Sequence, residues 1–337
     1  MGRTGFWAVL LTVLLVVSVL YAVTFGPADI TAQDAWASIV HHLGLGGSGT
    51  GDLTPLRDGI VWQLRFPRVL TAAAVGAGLA LSGAIMQAVT RNPLADPYLL
   101  GLSSGASLGA VAVILLGATL FVSAAAFLGA VLALLITLVL AGAAGPITPT
   151  RTVLAGLAVS SLFAAATSLV IFWTAAGDSY REILSWLLGS LSGADWPAVA
   201  IAVGAVLIVG LPLMASARTL DSFAFGDTAA AALGVNVPAA RWVILAATAL
   251  LTGAMVSVSG SIGFVGLILP HAVRLLTGPR HRSLLPLSAL AGAVFLIWTD
   301  TAARTLFEPR ELPVGIITAL VGAPVFAIVM MRRKKMS

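Results

Sequence analysis

The chain has 337 residues, of which 59% are apolar and only 9% are Asp, Glu, Lys or Arg. A soluble globular domain carries roughly 25% charged residues, so this chain cannot cover a water-facing surface. That excludes a soluble enzyme, a nucleic-acid-binding module and a disordered chain. The chain has no cysteine, which excludes disulfides, thiolate metal sites and cysteine nucleophiles. The composition predicts an all-α polytopic membrane protein.

Uncharged segments between the Asp, Glu, Lys and Arg residues predict ten transmembrane helices in a single domain over residues 1–337, because a span needs about 20 apolar residues. The predicted spans are one at about 6–25, one within 68–91, two within 96–151 with a turn near 117–122, one within 151–178, one within 195–218, two within 241–274 with a break around Gly260 and Gly263, one within 282–300, and one within 311–332. The first segment could instead be a cleaved signal peptide, since a basic start precedes an apolar core. Its length favours a span.

The distribution of basic residues predicts the orientation of the chain. With ten spans, both termini lie on one side of the membrane, and cytoplasmic termini place 12 of the 18 basic residues inside and 6 outside. This asymmetry agrees with the positive-inside rule. The strongest anchor is the tail at 332–335, which reads RRKK. We therefore expect a multi-pass protein of the cytoplasmic membrane with both termini cytoplasmic.

Two segments of the chain align when it is shifted by 177 residues. GAGLALSGAI at 76–85 lies over GAMVSVSGSI at 253–262, and Pro93 then meets Pro270. The predicted topology runs these segments in opposite directions, which indicates an inverted-repeat transporter with its pathway near the repeat interface. The alternative is chance similarity between helices rich in glycine and alanine.

Small residues also recur four apart at Gly101, Gly105 and Gly109. Helices in lipid associate by close backbone approach at small residues, so these glycines are interpreted as packing positions. A pathway role for the neighbouring serines, Ser103, Ser104 and Ser107, is the alternative.

Several kinds of functional group are missing from the sequence. No span carries an ionisable residue near its centre, and the nearest, Asp300, lies towards the outer end of the ninth span. This argues against ion coupling, which commonly uses carboxylates at membrane depth. The sequence also has no phosphate-binding loop, no metal-ligand spacing and no catalytic constellation. It therefore predicts no enzyme activity, no metal site and no cofactor, and an active transporter would take its energy from a partner.

The largest predicted inner loop, 216–242, is a candidate docking element. Asp227 is a candidate N-cap for a short alanine-rich helix and Gly234 a candidate stop. A loop of more than twenty residues in so economical a chain is more often functional than not, although an ordinary connecting loop is the alternative.

Basic residues on the predicted outer side depart from the positive-inside bias. Arg65 and Arg68 flank Pro67 at the mouth of the second span, and Arg304 and Arg310 lie near the outer ends of the last two spans. Guanidinium groups suit carboxylates on a partner protein or an anionic ligand. The alternative is that these side chains reach lipid phosphates.

Five segments resemble the FecCD-type permeases, the membrane subunits of type II ABC importers for iron–siderophores, haem and vitamin B12. The resemblance covers nearly the whole chain from about residue 60, and RNPLADP and GFVGLILPH are its most specific parts. The matching segments are WQLRFPRVLTAAAVGAGLALSGAIMQAVTRNPLADPYLLGLSSGASLG (62–109), LGSLSGADW (188–196), GDTAAAALGVNV (226–237), GSIGFVGLILPHAVRLLTGPRHR (260–282) and ELPVGIITALVGAPVF (311–326).

The resemblance implies ten helices per subunit and a second permease subunit, either identical or homologous. It also implies two ATP-binding cassette ATPases inside and a substrate-binding protein outside. Arg65, Arg68 and Arg304 would then dock the binding protein, and Arg310 is added on charge grounds. The residues implied for ATPase coupling are Asp227, Ala231, Leu233, Gly234 and Val235, and those implied for the cytoplasmic gate are Asn92, Leu94, Pro149 and Thr150.

The implied mechanism is alternating access through a weakly binding channel, driven by the ATPases. Iron–siderophore is the favoured cargo because it is the commonest in the family, and haem and cobalamin stay open. Two readings from other classes are a secondary carrier that works without an ATPase and a purely structural membrane scaffold.

Overall fold

A computed structural model describes residues 2–44, 53–143, 145, 148–174, 177, 179–308 and 310–333, with the backbone alone at 329, 330, 332 and 333. These residues form helices and connecting turns, and no strand occurs among them. The helices are α1 (Arg3–Ala22), α2 (Ala32–His42), α3 (Pro55–Gly59), α4 (Phe66–Val89), α5 (Leu102–Leu115), α6 (Val122–Ala143), α7 (Pro149–Thr174), α8 (Ser179–Leu187), α9 (Trp196–Ala205), α10 (Leu211–Ala215), α11 (Ala217–Phe223), α12 (Asp227–Ala232), α13 (Val237–Ser259), α14 (Val265–Thr277), α15 (His281–Thr305) and α16 (Val314–Arg333).

Short segments of other helix types join some of these helices. Two π-helical segments, Ile60–Arg65 and Val206–Gly210, make α3 continuous with α4 and α9 continuous with α10. Pro97–Leu100 and Thr119–Phe121 form 3₁₀ turns before α5 and α6.

Seven helical stretches in the described residues are long and apolar enough to cross a membrane. They are Arg3–Ala22, Pro55–Val89, Thr119–Ala143, Pro149–Thr174, Trp196–Ala215, Val237–Ser259 and His281–Thr305, and three shorter apolar helices are Leu102–Leu115, Val265–Thr277 and Val314–Ile328. Each overlaps one of the segments predicted from the sequence, and some extend beyond it, such as Pro55–Val89 against 68–91. The all-α polytopic fold is confirmed, and the number of ten crossings stays a prediction. The side chains of the 332–335 tail lie outside the described residues.

Helix α4 lies at the centre of the assembly. In the most apolar part of the helical stretch Pro55–Val89, which contains α4, 83% of the residues are buried. The corresponding share is 67% for α13 and 67% for α15. Helix α4 packs against α15, α13, α14 and α9. Gly78 faces Met255, while Leu81 and Leu251 both approach Gly210. Residue numbers thus rise along α4 as they fall along α13, so the two aligned segments run antiparallel, as an inverted repeat requires.

Both predicted breaks occur where glycines interrupt an apolar run. Helix α5 ends at Leu115 and is followed by Gly117 with a φ of 70°. Helix α13 ends at Ser259 and is followed by Gly260 with a φ of 66°. Glycine adopts this left-handed backbone without a Cβ clash, so the chain turns at these positions instead of extending the helix.

Two of the three glycines predicted to pack do so. Gly105 lies against Gly129, and Gly109 lies against the carbonyl of Ala125, so that α5 and α6 approach backbone to backbone. Gly101 has a different role, because its φ of 80° ends the 3₁₀ turn before α5.

The segment 216–242 contains two short helices, α11 and α12, before α13 begins. The prediction that Asp227 caps α12 is wrong. Gly226 is the N-cap, Asp227 is the first helical residue, and its carboxylate caps no backbone amide. It is instead bound by Arg241 of α13 and by Arg91, which follows α4. Gly234, with a φ of 84°, stands just after the C-cap of α12 as predicted.

Candidate functional site

Arg65 and Arg304, which the sequence predicts on the outer side, are buried and bound to backbone carbonyls near the end of α1. Arg65 donates to the carbonyls of Thr24 at 2.9 Å and Ala28 at 2.6 Å. Arg304 donates to the carbonyl of Ala22 at 2.6 Å. Both side chains thereby hold the chain that leaves α1 against α4 and α15.

Arg68 is buried between two acids that lie far away in the sequence. Its Nε donates to Asp300 at 2.9 Å and its Nη1 donates to Glu311 at 2.7 Å. Asp300 is only 1% exposed. These ion pairs tie α4 to α15 and to the segment before α16. Asp300, the ionisable residue predicted to lie towards the outer end of the ninth span, therefore has a structural partner.

The docking role predicted for the arginines stays a prediction, and the four residues differ in what they offer. Arg65, Arg68 and Arg304 are buried with internal partners, whereas Arg310 is exposed. Counting charges in a sequence cannot make this distinction, because it does not show which acids and carbonyls come within reach.

At the opposite end of α4, Asp227 is bound by two arginines. Its carboxylate accepts from Arg241 Nη2 at 2.9 Å and from Arg91 Nη2 at 3.0 Å. The hydrogen bonds and charge of Arg241, and the charge of Arg91, hold the pKa of Asp227 below its usual value against the opposing effect of burial. Asp227 is therefore ionised throughout the neutral range and fixes both guanidinium groups.

The predicted gate residues Asn92 and Leu94 stand in one turn and line one cavity. Asn92 Oδ1 accepts from the amide of Leu94 at 3.0 Å, which closes the turn. The cavity has a volume of about 390 Å³. Its other walls come from α14 and α16, including Ile268, His271 and Phe326. These walls are mainly apolar, which suits a passage closed by side-chain packing.

The other two predicted gate residues, Pro149 and Thr150, begin α7 and do not line that cavity. The residue before them, Thr148, borders a separate cavity of about 650 Å³. Asp227, Ala231 and Val235 border the same cavity. The structure thus brings this second gate segment to the coupling residues and leaves it apart from the first one.

Comparison with known proteins identifies the family. The model of the FecCD transport family matches residues 14–332. The chain belongs to the FecCD transport family. It is the permease of a type II ABC importer, and such permeases are transporters and not enzymes.

Three proteins of known sequence are similar to this chain over most of its length. YvrB of Bacillus subtilis, described as an uncharacterized ABC transporter permease, is 42% identical over 95% of this chain and 92% of its own length. The cobalamin import permease BtuC of Halobacterium salinarum is 41% identical over 99% of this chain and 98% of its own. The Fe(3+) dicitrate permease FecD of Escherichia coli is 41% identical over 82% of this chain and 86% of its own.

A solved structure supports the same fold for this FecCD chain. It is described as an inward-facing conformation of a proposed metal-chelate type ABC transporter and is 31% identical. The TM-score is 0.84, with 96% of this chain and 98% of the other covered.

Around α12 the FecCD chain presents apolar side chains outward. Phe225 is 77% exposed and Leu233 is 70% exposed, and Ala231 and Gly234 lie on the same exposed stretch. Ala230, by contrast, is fully buried and anchors the helix. Exposed apolar patches of this kind mark a contact with another protein or with the membrane.

Sequence reasoning missed the contacts that hold the break between α13 and α14. Tyr98 donates its hydroxyl to the carbonyl of Ile262 at 2.9 Å, and Ser103 and Ser261 share a hydrogen bond of 2.7 Å. The signal was present, because an unwound segment between apolar helices must find partners for its backbone groups. Phe264, at the end of the break, has a φ of 69°, one of two non-glycine residues in the described chain with positive φ.

Asp96, which follows the gate turn, is expected to make the stability of the protein depend on pH. Burial raises its pKa to about 6, although its carboxylate accepts from the amide of Tyr98 at 2.8 Å. The folded-state pKa exceeds the unfolded value of about 3.9, so the charged form costs stability above pH 6 and that cost disappears as the pH falls to 4. We expect Asp96→Asn, which keeps the acceptor, to have a higher unfolding midpoint than the wild type at pH 7.5. The two midpoints should converge near pH 4.5, and a constant difference would contradict the assignment.

Proposed function

We propose that this FecCD permease carries a bulky metal chelate into the cell, with an iron–siderophore complex as the first candidate. The family match over residues 14–332 carries the proposal, and the 41% identity to the Fe(3+) dicitrate permease FecD supports iron as the metal. Spans without a charge at their centres suit a cargo that must bind weakly enough to be released.

Cobalamin is the second candidate, and one observation favours it. The similarity to BtuC of Halobacterium salinarum extends over 99% of this chain, whereas that to FecD extends over 82%. Haem, the third cargo implied by the sequence resemblance, has no such support.

The proposed assembly contains this permease, a second permease subunit, two ATP-binding cassette ATPases and an extracytoplasmic binding protein. It lies in the cytoplasmic membrane with both termini of the permease inside. The exposed side chains of Phe225 and Leu233 support an ATPase contact at α12. Exposed Arg310 is the arginine best placed to meet a carboxylate of the binding protein, while Arg65, Arg68 and Arg304 support the outer surface from beneath.

The proposed mechanism is alternating access. Movement of the ATPases displaces α12 and its flanking residues Leu233, Gly234 and Val235. The displacement reaches the turn of Asn92 and Leu94 at one cavity and the start of α7, with Pro149 and Thr150, at the other. Opening of these packed apolar walls releases the cargo to the cytoplasm.

The experiment that tests this function is uptake by the assembled transporter. The permease, its co-purified ATPase and its binding protein are placed in proteoliposomes and offered labelled ferric siderophore, cobalamin or haem. We expect ATP-dependent uptake of the ferric siderophore, and we expect the same ligand to raise the melting temperature of the binding protein. Uptake of cobalamin alone would select the second candidate, and uptake without any ATPase would establish a secondary carrier instead.

A further inference from the structure

One carboxylate at the proposed inner end joins three parts of the chain. Asp227 belongs to α12, the proposed ATPase contact. It binds Arg241 of α13 through two hydrogen bonds, of 2.9 and 3.2 Å, and Arg91 through one of 3.0 Å. Arg91 immediately precedes the gate turn of Asn92 and Leu94. Asp227 is therefore a direct contact between the coupling helix, a central helix and the first gate segment.

The two ion pairs of Asp227 lie in different environments. Arg241 is 4% exposed, and its guanidinium also lies over the ring of Phe223 at 5.5 Å. Separating a buried guanidinium from its carboxylate is strongly unfavourable. The Arg91 side chain is 40% exposed and that of Asp227 is 43% exposed, so their pair is in contact with water and weak. Asp227 consequently stays with Arg241 when α12 moves, whereas its bond to Arg91 can open.

The backbone of Arg91 connects this bond to the gate. Its φ is 50°, in the left-handed region that residues with a side chain rarely adopt. In this conformation the amide of Arg91 donates to the carbonyl of Ala88 and that of Asn92 donates to Gln87, which ends α4 and starts the gate turn. A strained backbone persists only where its surroundings hold it. The bond to Asp227 is one contact that holds Arg91, so its release gives the gate turn freedom to move.

We infer that Arg91 is a positioning residue for the inner gate. Bound to Asp227, it holds the 92–94 turn in one orientation, and displacement of α12 with Asp227 and Arg241 releases that turn. This inference rests on the proposed function, because it requires an ATPase that moves α12. It adds the residue through which the movement reaches the gate, and it distinguishes a permanent joint at Arg241 from a releasable one at Arg91.

The first test measures the link itself. Because the chain has no cysteine, spin labels can be attached to Leu94→Cys and Thr228→Cys alone, and their distance measured in the purified permease. With Arg91 intact we expect one narrow distance distribution. In Arg91→Gln we expect it to widen about twofold, because the freed turn samples additional positions. Arg91→Lys should retain much of the narrow distribution, since it keeps the charge.

Arg282→Gln is the matched control, because it removes an exposed positive charge near the start of α15, outside the Asp227 cluster. It should leave the distance distribution unchanged. An Arg91→Gln distribution with the width and mean of the wild type overturns the inference. A widening of equal size in Arg282→Gln also overturns it, because the effect would then reflect net charge.

The second test measures the response of the gate to nucleotide. A membrane-impermeant thiol reagent is added from the cytoplasmic side to complexes that carry Leu94→Cys, with and without a non-hydrolysable ATP analogue. We expect the analogue to change the labelling rate about fivefold or more with Arg91 intact, because coupling between linked sites is typically of at least this size. In Arg91→Gln we expect the analogue to have little effect. An equal nucleotide response in both proteins overturns the inference. If no ATPase assembles with the wild type, the proposed function fails, while the distance measurement, made on the purified permease alone, still decides the link.

Discussion

Replacing Arg68 by alanine will lower the free energy of unfolding by about 3–5 kcal/mol, because it leaves a buried carboxylate without its partner. Asp300 is 1% exposed and accepts hydrogen bonds from both Nε and Nη2 of Arg68. Glu311 loses a partner in the same variant. The measurement is the unfolding midpoint of the purified permease in detergent, together with the amount that reaches the membrane.

A compensating variant separates the ion pair from the shape of the site. In Arg68→Met with Asp300→Leu, both charges disappear while the apolar volume is largely kept, and such exchanges are often neutral for stability. We expect the double variant to recover most of the loss. Arg310→Ala is the matched control, because Arg310 is exposed, and its midpoint should be that of the wild type. A double variant no more stable than Arg68→Ala would show that the ion pair is not the cause.

The same pair of variants tests the docking role predicted for Arg68. The double variant lacks the guanidinium of Arg68, and it can be compared with the wild type if it folds and still assembles with the ATPase. If Arg68 contacts the binding protein directly, that variant binds the binding protein more weakly than the wild type does. If Arg68 only supports the outer surface, binding is unchanged and Arg310→Ala has the larger effect.

The sequence was sufficient for the features that depend on local composition. The breaks near 117–122 and around Gly260 and Gly263 were predicted because the uncharged segments there are too long for a single span, and the chain turns at Gly117 and Gly260. The packing of Gly105 and Gly109 was predicted from their spacing, because lipid offers no other strong means of helix association. The fold class followed from the low proportion of charged residues.

The sequence was insufficient where a partner lies far along the chain. Arg68 and Asp300 are separated by 232 residues, and Arg91 and Asp227 by 136, so no local pattern shows that they meet. Asp227 is the clearest case. A short acidic residue before an alanine-rich helix is a typical N-cap, but two guanidinium groups bind its carboxylate more favourably than a backbone amide does.

Charged residues in a membrane protein therefore carry more information than their position relative to the bilayer. Arg65, Arg68 and Arg304 were noticed because they defy the positive-inside bias, and each proved to be buried with an internal partner. An ionisable group in an apolar environment needs such a partner. Searching for oppositely charged residues in other spans would have suggested Asp300 from the sequence.

Replacing Gly83 by valine is expected to lower the free energy of unfolding substantially, because the added side chain would clash with backbone. A Cβ at Gly83 would overlap the carbonyl group of Gly266, so α4 and α14 could keep their contact only by moving apart. Extra volume in a packed interior costs about 1–3 kcal/mol and occasionally more, and here no flexible side chain can yield. Gly83→Ala should already lower the unfolding midpoint, and Gly83→Val should lower it further.

Gly204→Ala is the control, since a Cβ there meets no atom within 4 Å. Replacing a helical glycine in open space stabilises a protein by about 0.4–1 kcal/mol. Since α14 also forms a wall of the gate cavity, a Gly83→Ala protein that remains folded should label faster at Leu94→Cys. A midpoint for Gly83→Val equal to that of the wild type would mean that α4 and α14 do not lie in contact at these two glycines.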